Sequence, residues 1–416
     1  MSSIRIAVSG GGLAGATLLH GRLNYPQLDV HIFESAESFN EAGAAIGVAR
    51  NALTALDLIG SSAPKCLERA GAMPMNGVRF MLGQGEATHG KRVVSIVHRA
   101  AFLRELLAEI SPERLHSSKK LKTIEKKGSE ESILLHFTDG TTHECDVLVG
   151  ADSIHSTVRK FILGENDPAA SPRNTGTWTI MALKPAAQAK PSFGDGPIDE
   201  AREYSWLGDG EFLMHNMFNQ GQMIQLIVAA HEAGAEDSDR WQRTVSVDEL
   251  KDLYKGFPGH LKKVVDELLC DQPEQPAIYL WEHPPARTYL SGPVCIMGDA
   301  AHATSPWQGS GGGMTIEDAL ILATVLGRAT SQREACAALE IYDEVRRPRT
   351  QRIVESSRRT GLILAGRDEA IGLDLDRLRG NVLSRWDFIV DFDIEKHRDN
   401  AVDKSNKKLE QIASSG

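Results

Sequence analysis

Apolar residues follow two different periods along this chain, and the change between them divides it. Near the N-terminus Ile4-Arg5-Ile6-Ala7-Val8 is a short apolar run of the kind that forms a buried strand. It passes into Gly10-Gly11-Gly12-Leu13-Ala14-Gly15 and a helical stretch through Leu23, after which Asp29 to Glu34 reads as a second strand ending in an acid. That is a βαβ unit opening at residue 4. Apolar side chains at helical spacing predict helices over 50–60 (Ala52, Leu53, Leu56, Ile59) and 99–110 (Phe102, Leu103, Leu106, Leu107, Ile110). Strands are expected over 131–137 and 145–150, with Asp139-Gly140 turning between them.

After about residue 164 the alternation of strand and helix gives way to strand-type runs: Thr177 to Leu183, Glu211 to Phe218 and Met223 to Ala230. Asn219-Gln220-Gly221 suits a hairpin connection between the last two. One helix is expected near 248–269. From Gly292 the first pattern resumes, with a helix over 315–328 and a long Arg-rich helix over 336–363 broken at Pro348. From Glu395 the chain is polar and charged and reads as a peripheral helix or tail. The fold class expected is α/β, a Rossmann-like nucleotide domain with an inserted antiparallel sheet and C-terminal helices. The nucleotide domain is expected in two pieces, 1–170 and 285–366, with a substrate domain over 171–284 and a helical tail over 367–416.

Composition narrows the function only by exclusion. The 416 residues carry a formal net charge of −10, against the clustered basic surface that nucleic-acid binding needs. An apolar fraction of 41% and a charged fraction of 25% are ordinary for a soluble enzyme. No uncharged apolar run reaches the ~18 residues of a membrane span. The five cysteines are scattered and odd in number, so neither a disulfide framework nor a metal cluster is expected, and the cytoplasm is the default location.

Gly10-x-Gly12-x-x-Gly15 sits between a strand and a helix, the context in which the pattern carries meaning. Gly10 permits the tight turn, Gly12 lets the backbone approach a pyrophosphate, and Gly15 lets the helix pack on the strand. The helix N-terminus offers free N–H groups to the anion, and Glu34 is placed to accept from an adenosine ribose. This much does not separate a nicotinamide from a flavin dinucleotide. Further along come Asp146-Val147-Leu148-Val149-Gly150-Ala151-Asp152-Ser153 and Gly298-Asp299-Ala300-Ala301-His302, with Pro306 close behind, then Gly309-Ser310-Gly311-Gly312-Gly313 opening a helix.

These motifs, in this order, resemble the class A flavoprotein aromatic hydroxylases of the para-hydroxybenzoate hydroxylase fold. The likeness is nearest to salicylate hydroxylases and their fungal relatives that act on phenolic polyketides. It covers most of residues 4 to 363 and is weakest in the substrate region. It implies FAD as cofactor and NAD(P)H as co-substrate, with no second Rossmann unit for the nicotinamide. It also implies O2 capture as a flavin C4a-hydroperoxide and oxygen transfer to a small aromatic substrate, with or without loss of CO2. Asp299 then accepts from ribityl hydroxyls, and the amides of Gly311, Gly312 and Gly313 hold the flavin pyrimidine. Arg99 and Gly47 match flavin-side positions, Asp152 and Arg159 belong to a motif serving both FAD and NAD(P)H, and Pro306 lies near flavin N5.

The substrate half departs from the family. Trp307 stands where many relatives carry His or Tyr, which suggests a stacking wall. Met181 falls where many carry an Arg that pairs with the phenolate or carboxylate. His215, mid-strand among Phe212, Met214 and Met217, is the replacement candidate to bind or deprotonate a phenol, with a structural role as the competing reading. Asn216 and Arg202 are lesser candidates, and His302 reads as structural. No metal and no membrane insertion are expected, and monomer and homodimer both stay open. So do two other functions: dearomatising or epoxidising chemistry on the same fold, and a non-catalytic flavin-binding protein.

Overall fold

In the computed structural model, which describes residues 3–40, 45–82, 87–90, 94–127, 132–198 and 201–414, Ile4–Ser9 is an interior strand of a six-stranded sheet. Its order is Leu290–Ser291, Val294–Ile296, Val147–Gly150, Ile4–Ser9, Leu28–Phe33 and Leu115–His116. All neighbours run parallel except the first pair. Ile6, Ala7, Val8 and Val147 to Val149 are buried on both faces, which is why these strands are continuous apolar runs without alternation. Helices Leu13–Gly21, Gly311–Leu326 and Gln332–Leu364 contribute to the same core.

A second sheet of eight strands has the order Gln242–Ser246, Glu274–Glu282, Arg173–Pro185, Met223–His231, Glu211–Phe218, Glu203–Leu207, Val78–Leu82 and Ala87–Gly90. It is antiparallel except where Glu203–Leu207 runs parallel to Val78–Leu82. The expected hairpin is present: Glu211–Phe218 pairs with Met223–His231, and Asn219, Gln220 and Gly221 all take positive φ in the turn. The sheet is not confined to 171–284, because Val78–Leu82 and Ala87–Gly90 come from the N-terminal part. Those runs are too short to show a period.

Three expectations change at the helices. The helix near 248–269 is divided into Val247–Leu253, Gly259–Val264 and a π-turn over Val265–Leu269, with Pro258 capping the second piece. Gln332–Leu364 is one continuous helix of 33 residues despite Pro348. Arg346 and Arg349, on either side of that proline, are both anchored to buried Glu317, so tertiary bonds hold the helix where one backbone bond is missing. The C-terminal stretch is a packed surface helix and not a loose tail. Helix Ile394–Ser414 packs on Gly311–Leu326 and Gln332–Leu364, with Ala401 and Ser405 buried.

Candidate active site

Between the nucleotide sheet and one face of the eight-stranded sheet runs a cavity of about 870 Å3, extending from Glu34 and Lys119 past the two glycine-rich loops to Trp386. At its first end Gly10 has φ +112°, and a Cβ there would meet the Ala151 carbonyl oxygen at 2.1 Å, so the loop closes only with glycine. Gly12 stands at the N-cap of helix Leu13–Gly21 and lines the cavity, so that helix begins at the cavity wall. Ser310 caps Gly311–Leu326 in the same way, and Gly311, Gly312 and Gly313 line the wall. Two helix N-termini therefore open on one space, each favouring negative charge there.

Glu34, Gly47, Arg99, Asp152 and Asp299 also line the cavity, as the resemblance implies, and Gly15 holds the helix against the loop. Glu34 accepts from the Gly11 N–H at 2.7 Å and the Ala36 N–H at 2.8 Å. The Asp152 carboxylate accepts from Ser156 Oγ at 2.5 Å and the Thr157 N–H at 2.8 Å, so it also organises the next helix; burial raises its pKa. Arg159, by contrast, is absent from the wall. Its guanidinium donates to the carbonyls of Ala169, Ala300, Ala301 and Pro284, bracing the loops from behind.

A buried charge network fixes the Gly298-Asp299 loop. Asp318 accepts from the Gly298 N–H at 3.1 Å, from His302 Nε2 at 2.6 Å and from Arg346 Nε at 2.8 Å. His302 is thus a structural member of its loop, 2% exposed.

Strand alternation decides the substrate half. Phe212, Met214 and Asn216 face the cavity with Thr179, Met181, Gln225 and Ile227. His215, one residue out of phase, points through the opposite face. There it is fully buried between Tyr204 and Phe193 and accepts from Trp206 Nε1 at 3.2 Å. Burial, with His260 nearby, pushes its pKa down to about 3. The catalytic expectation for His215 is therefore corrected: it is a neutral core residue.

Pro306 and Trp307 lie on the wall, and the Trp307 ring meets Phe212 edge-on at 5.3 Å. Met181, placed by the resemblance where many relatives carry an arginine, lines the cavity and is 45% exposed. Among the described residues of the eight-stranded sheet that line the cavity, the single charged side chain is Glu203. Sequence reasoning missed Glu203, Gln225 and Trp386. Gln225 was within reach, because the hairpin turn sets it opposite Asn216; nothing in the sequence marked Trp386.

The fit to FAD stands on the chain's own geometry: two helix starts at the wall, glycines where the backbone must lie close to a ligand, and acids along one long cavity. The family comparison agrees. Residues 4–357 match the model described as FAD binding domain, and the chain belongs to that family. It is 34% identical to 6-methylsalicylate 1-monooxygenase of Aspergillus terreus, over 96% of this chain and 92% of that one. It is 31% identical to a salicylate hydroxylase of Pseudomonas putida, over 94% and 93%. Among solved structures, a salicylate hydroxylase substrate complex superposes with TM-score 0.85 at 24% identity, covering 96% and 98%. Klebsiella pneumoniae HpxO, solved with FAD and uric acid, gives 0.71 at 20% identity, covering 96% and 97%. The chain is an FAD-dependent monooxygenase using NAD(P)H. No helix among the described residues is long and apolar enough to cross a membrane.

Proposed function

We propose that this enzyme hydroxylates an electron-rich phenol held against the eight-stranded sheet, in phenolic or aromatic polyketide metabolism. The carrying observation is the shape and lining of the cavity. Its glycine-rich end suits a dinucleotide, and its other end is a largely apolar slot between the sheet and the wall formed by Trp307, Leu364 and Trp386. The relatives named for salicylate and 6-methylsalicylate support an aromatic ring as the substrate class.

In this reading Gly10, Gly12 and Gly15 seat the pyrophosphate, Glu34 the adenosine ribose and Asp299 the ribityl chain. Gly311 to Gly313 hold the pyrimidine edge, with Gly47 and Arg99 beside the ring system and Asp152 on the wall next to Gly10. When bound, FAD supplies the activation of O2 after reduction by NAD(P)H. The protein's part is to exclude water and hold the substrate ring in place. Trp307, pinned between Phe212 and Gly361, limits where the ring can lie. Five free thiols and the lack of disulfides fit a reducing compartment such as the cytoplasm. The test is a screen of simple phenols and phenolic acids on the yellow holoenzyme, following NAD(P)H oxidation, product mass and CO2. Stimulated oxidation with a product that has gained one oxygen, with or without loss of CO2, supports the reading; a flavin protein that no phenol stimulates rejects it.

A further inference from the structure

We propose that Asn216 and Gln225 form a paired amide site that binds a neutral phenol by its hydroxyl, and that it selects uncharged phenols over their carboxylates. This rests on the phenol-hydroxylase reading above. The two residues face each other directly across the hairpin, which sets their Cβ atoms about 4.5–5.5 Å apart. Both line the cavity, and they are 2% and 5% exposed.

The hydrogen bonds fix what each amide has left to offer. Asn216 Nδ2 donates to the Met217 carbonyl at 3.3 Å, and a flipped amide would set two oxygens against each other. Its Oδ1 is buried with no hydrogen-bond partner, an acceptor awaiting a donor. Gln225 Oε1 accepts from the Ala45 N–H at 3.3 Å, so its Nε2 is the group left to donate. Ala45 begins the strand that carries Gly47, which places the pair beside the flavin side of the cavity.

One acceptor and one donor, side by side, match a group that both donates and accepts. A phenol O–H donates to Asn216 Oδ1 and accepts from Gln225 Nε2. A phenolate or carboxylate has no proton to give and would press its lone pairs against Oδ1. Glu203 adds to the discrimination, as it is the one charged side chain that the described residues of the eight-stranded sheet bring to the cavity wall, and it is an acid. The missing arginine at Met181 thus has a counterpart: the anion clamp is replaced by neutral amide recognition.

The test compares three ring-matched probes on the holoenzyme: 3-methylphenol, its methyl ether 3-methylanisole, and 2-hydroxy-6-methylbenzoate. Dissociation constants are read from perturbation of the flavin spectrum. The wild type should bind the phenol about tenfold or more tighter than the ether, because a buried acceptor goes unmet by the ether. It should also prefer the phenol to the carboxylate. Asn216→Leu, and independently Gln225→Met should either variant fold poorly, should bring the phenol-to-ether ratio towards one with flavin content retained. A ratio unchanged in a folded variant, or a wild type that prefers the carboxylate, overturns the proposal and leaves the hydroxylase reading intact. A wild type that responds to none of the three probes or to any other phenol overturns the hydroxylase reading itself.

Discussion

Trp386 donates its indole N–H to the carbonyl of Gln308 across 3.1 Å, and Gln308 in turn donates to the Arg385 carbonyl at 2.8 Å. This clasp ties the C-terminal segment to the loop that carries Pro306 and Trp307. Trp386→Phe keeps the ring and removes the donor, at a cost of about 1 kcal/mol. FAD should be retained, and more NAD(P)H should be consumed per product formed. Comparing NAD(P)H used with product made checks this, and unchanged coupling would show that the clasp does not govern the loop.

Glu317 is the hub of the network beneath the cavity. It accepts from Arg346 at 2.6 Å, from Arg349 at 2.7 and 2.8 Å, and from Asn51 at 2.7 Å. Burial alone would raise its carboxyl, but the two guanidinium groups more than offset this and hold it down to about 2. A depressed carboxyl adds stability above its unfolded value near 4.5, and that stability is lost as pH falls towards 2. Glu317→Gln should cost about 3–5 kcal/mol, because buried Arg349 loses its carboxylate partner and buried Arg346 keeps only Asp318. It should also flatten the acid limb of the stability curve. Denaturant titrations at pH 7 and pH 4 measure both, and a loss under about 1 kcal/mol would contradict the assignment.

His215 titrates in the opposite sense to a catalyst. With its folded pKa pushed to about 3 from 6.5, it stays neutral in the native state while the unfolded chain takes up a proton. Its contribution to stability is complete above pH 6.5 and declines as the pH drops towards 3. His215→Gln keeps an acceptor for Trp206 and removes the titration. The melting temperature should then depend less on pH between about 6.5 and 4, and the pH profile of turnover should be unchanged. A shifted turnover profile would return the residue to the reaction.

Gly361 lies inside the long helix, where alanine is ordinarily better by roughly 1 kcal/mol. Here a Cβ would come within 2.4 Å of Trp307 Nε1. Gly361→Ala should therefore lower stability and displace Trp307, read as a changed flavin perturbation on phenol binding. A gain in melting temperature would show that the wall yields freely.

The nucleotide half was legible because its demands are local. Gly10 must take a positive φ, Gly12 must clear a ligand, and Glu34 must end its strand, so each leaves a mark at a fixed spacing. The substrate half depends on parity. Glu211 to Phe218 was recognisable as a strand, but choosing between His215 and Asn216 required knowing which face met the cavity, and the apolar residues on both faces hid it. Trp386 and the strand Val78–Leu82 reach the site only through long-range packing, for which single-sequence patterns carry no signal.

The most direct test of the account is turnover of the holoenzyme with a stimulating phenol under 18O2. The account predicts one labelled oxygen in the product and, in the coupled reaction, one NAD(P)H consumed for each product. A hydroxylated product whose new oxygen comes from water, or labelled peroxide with no labelled product from any phenol, would contradict it.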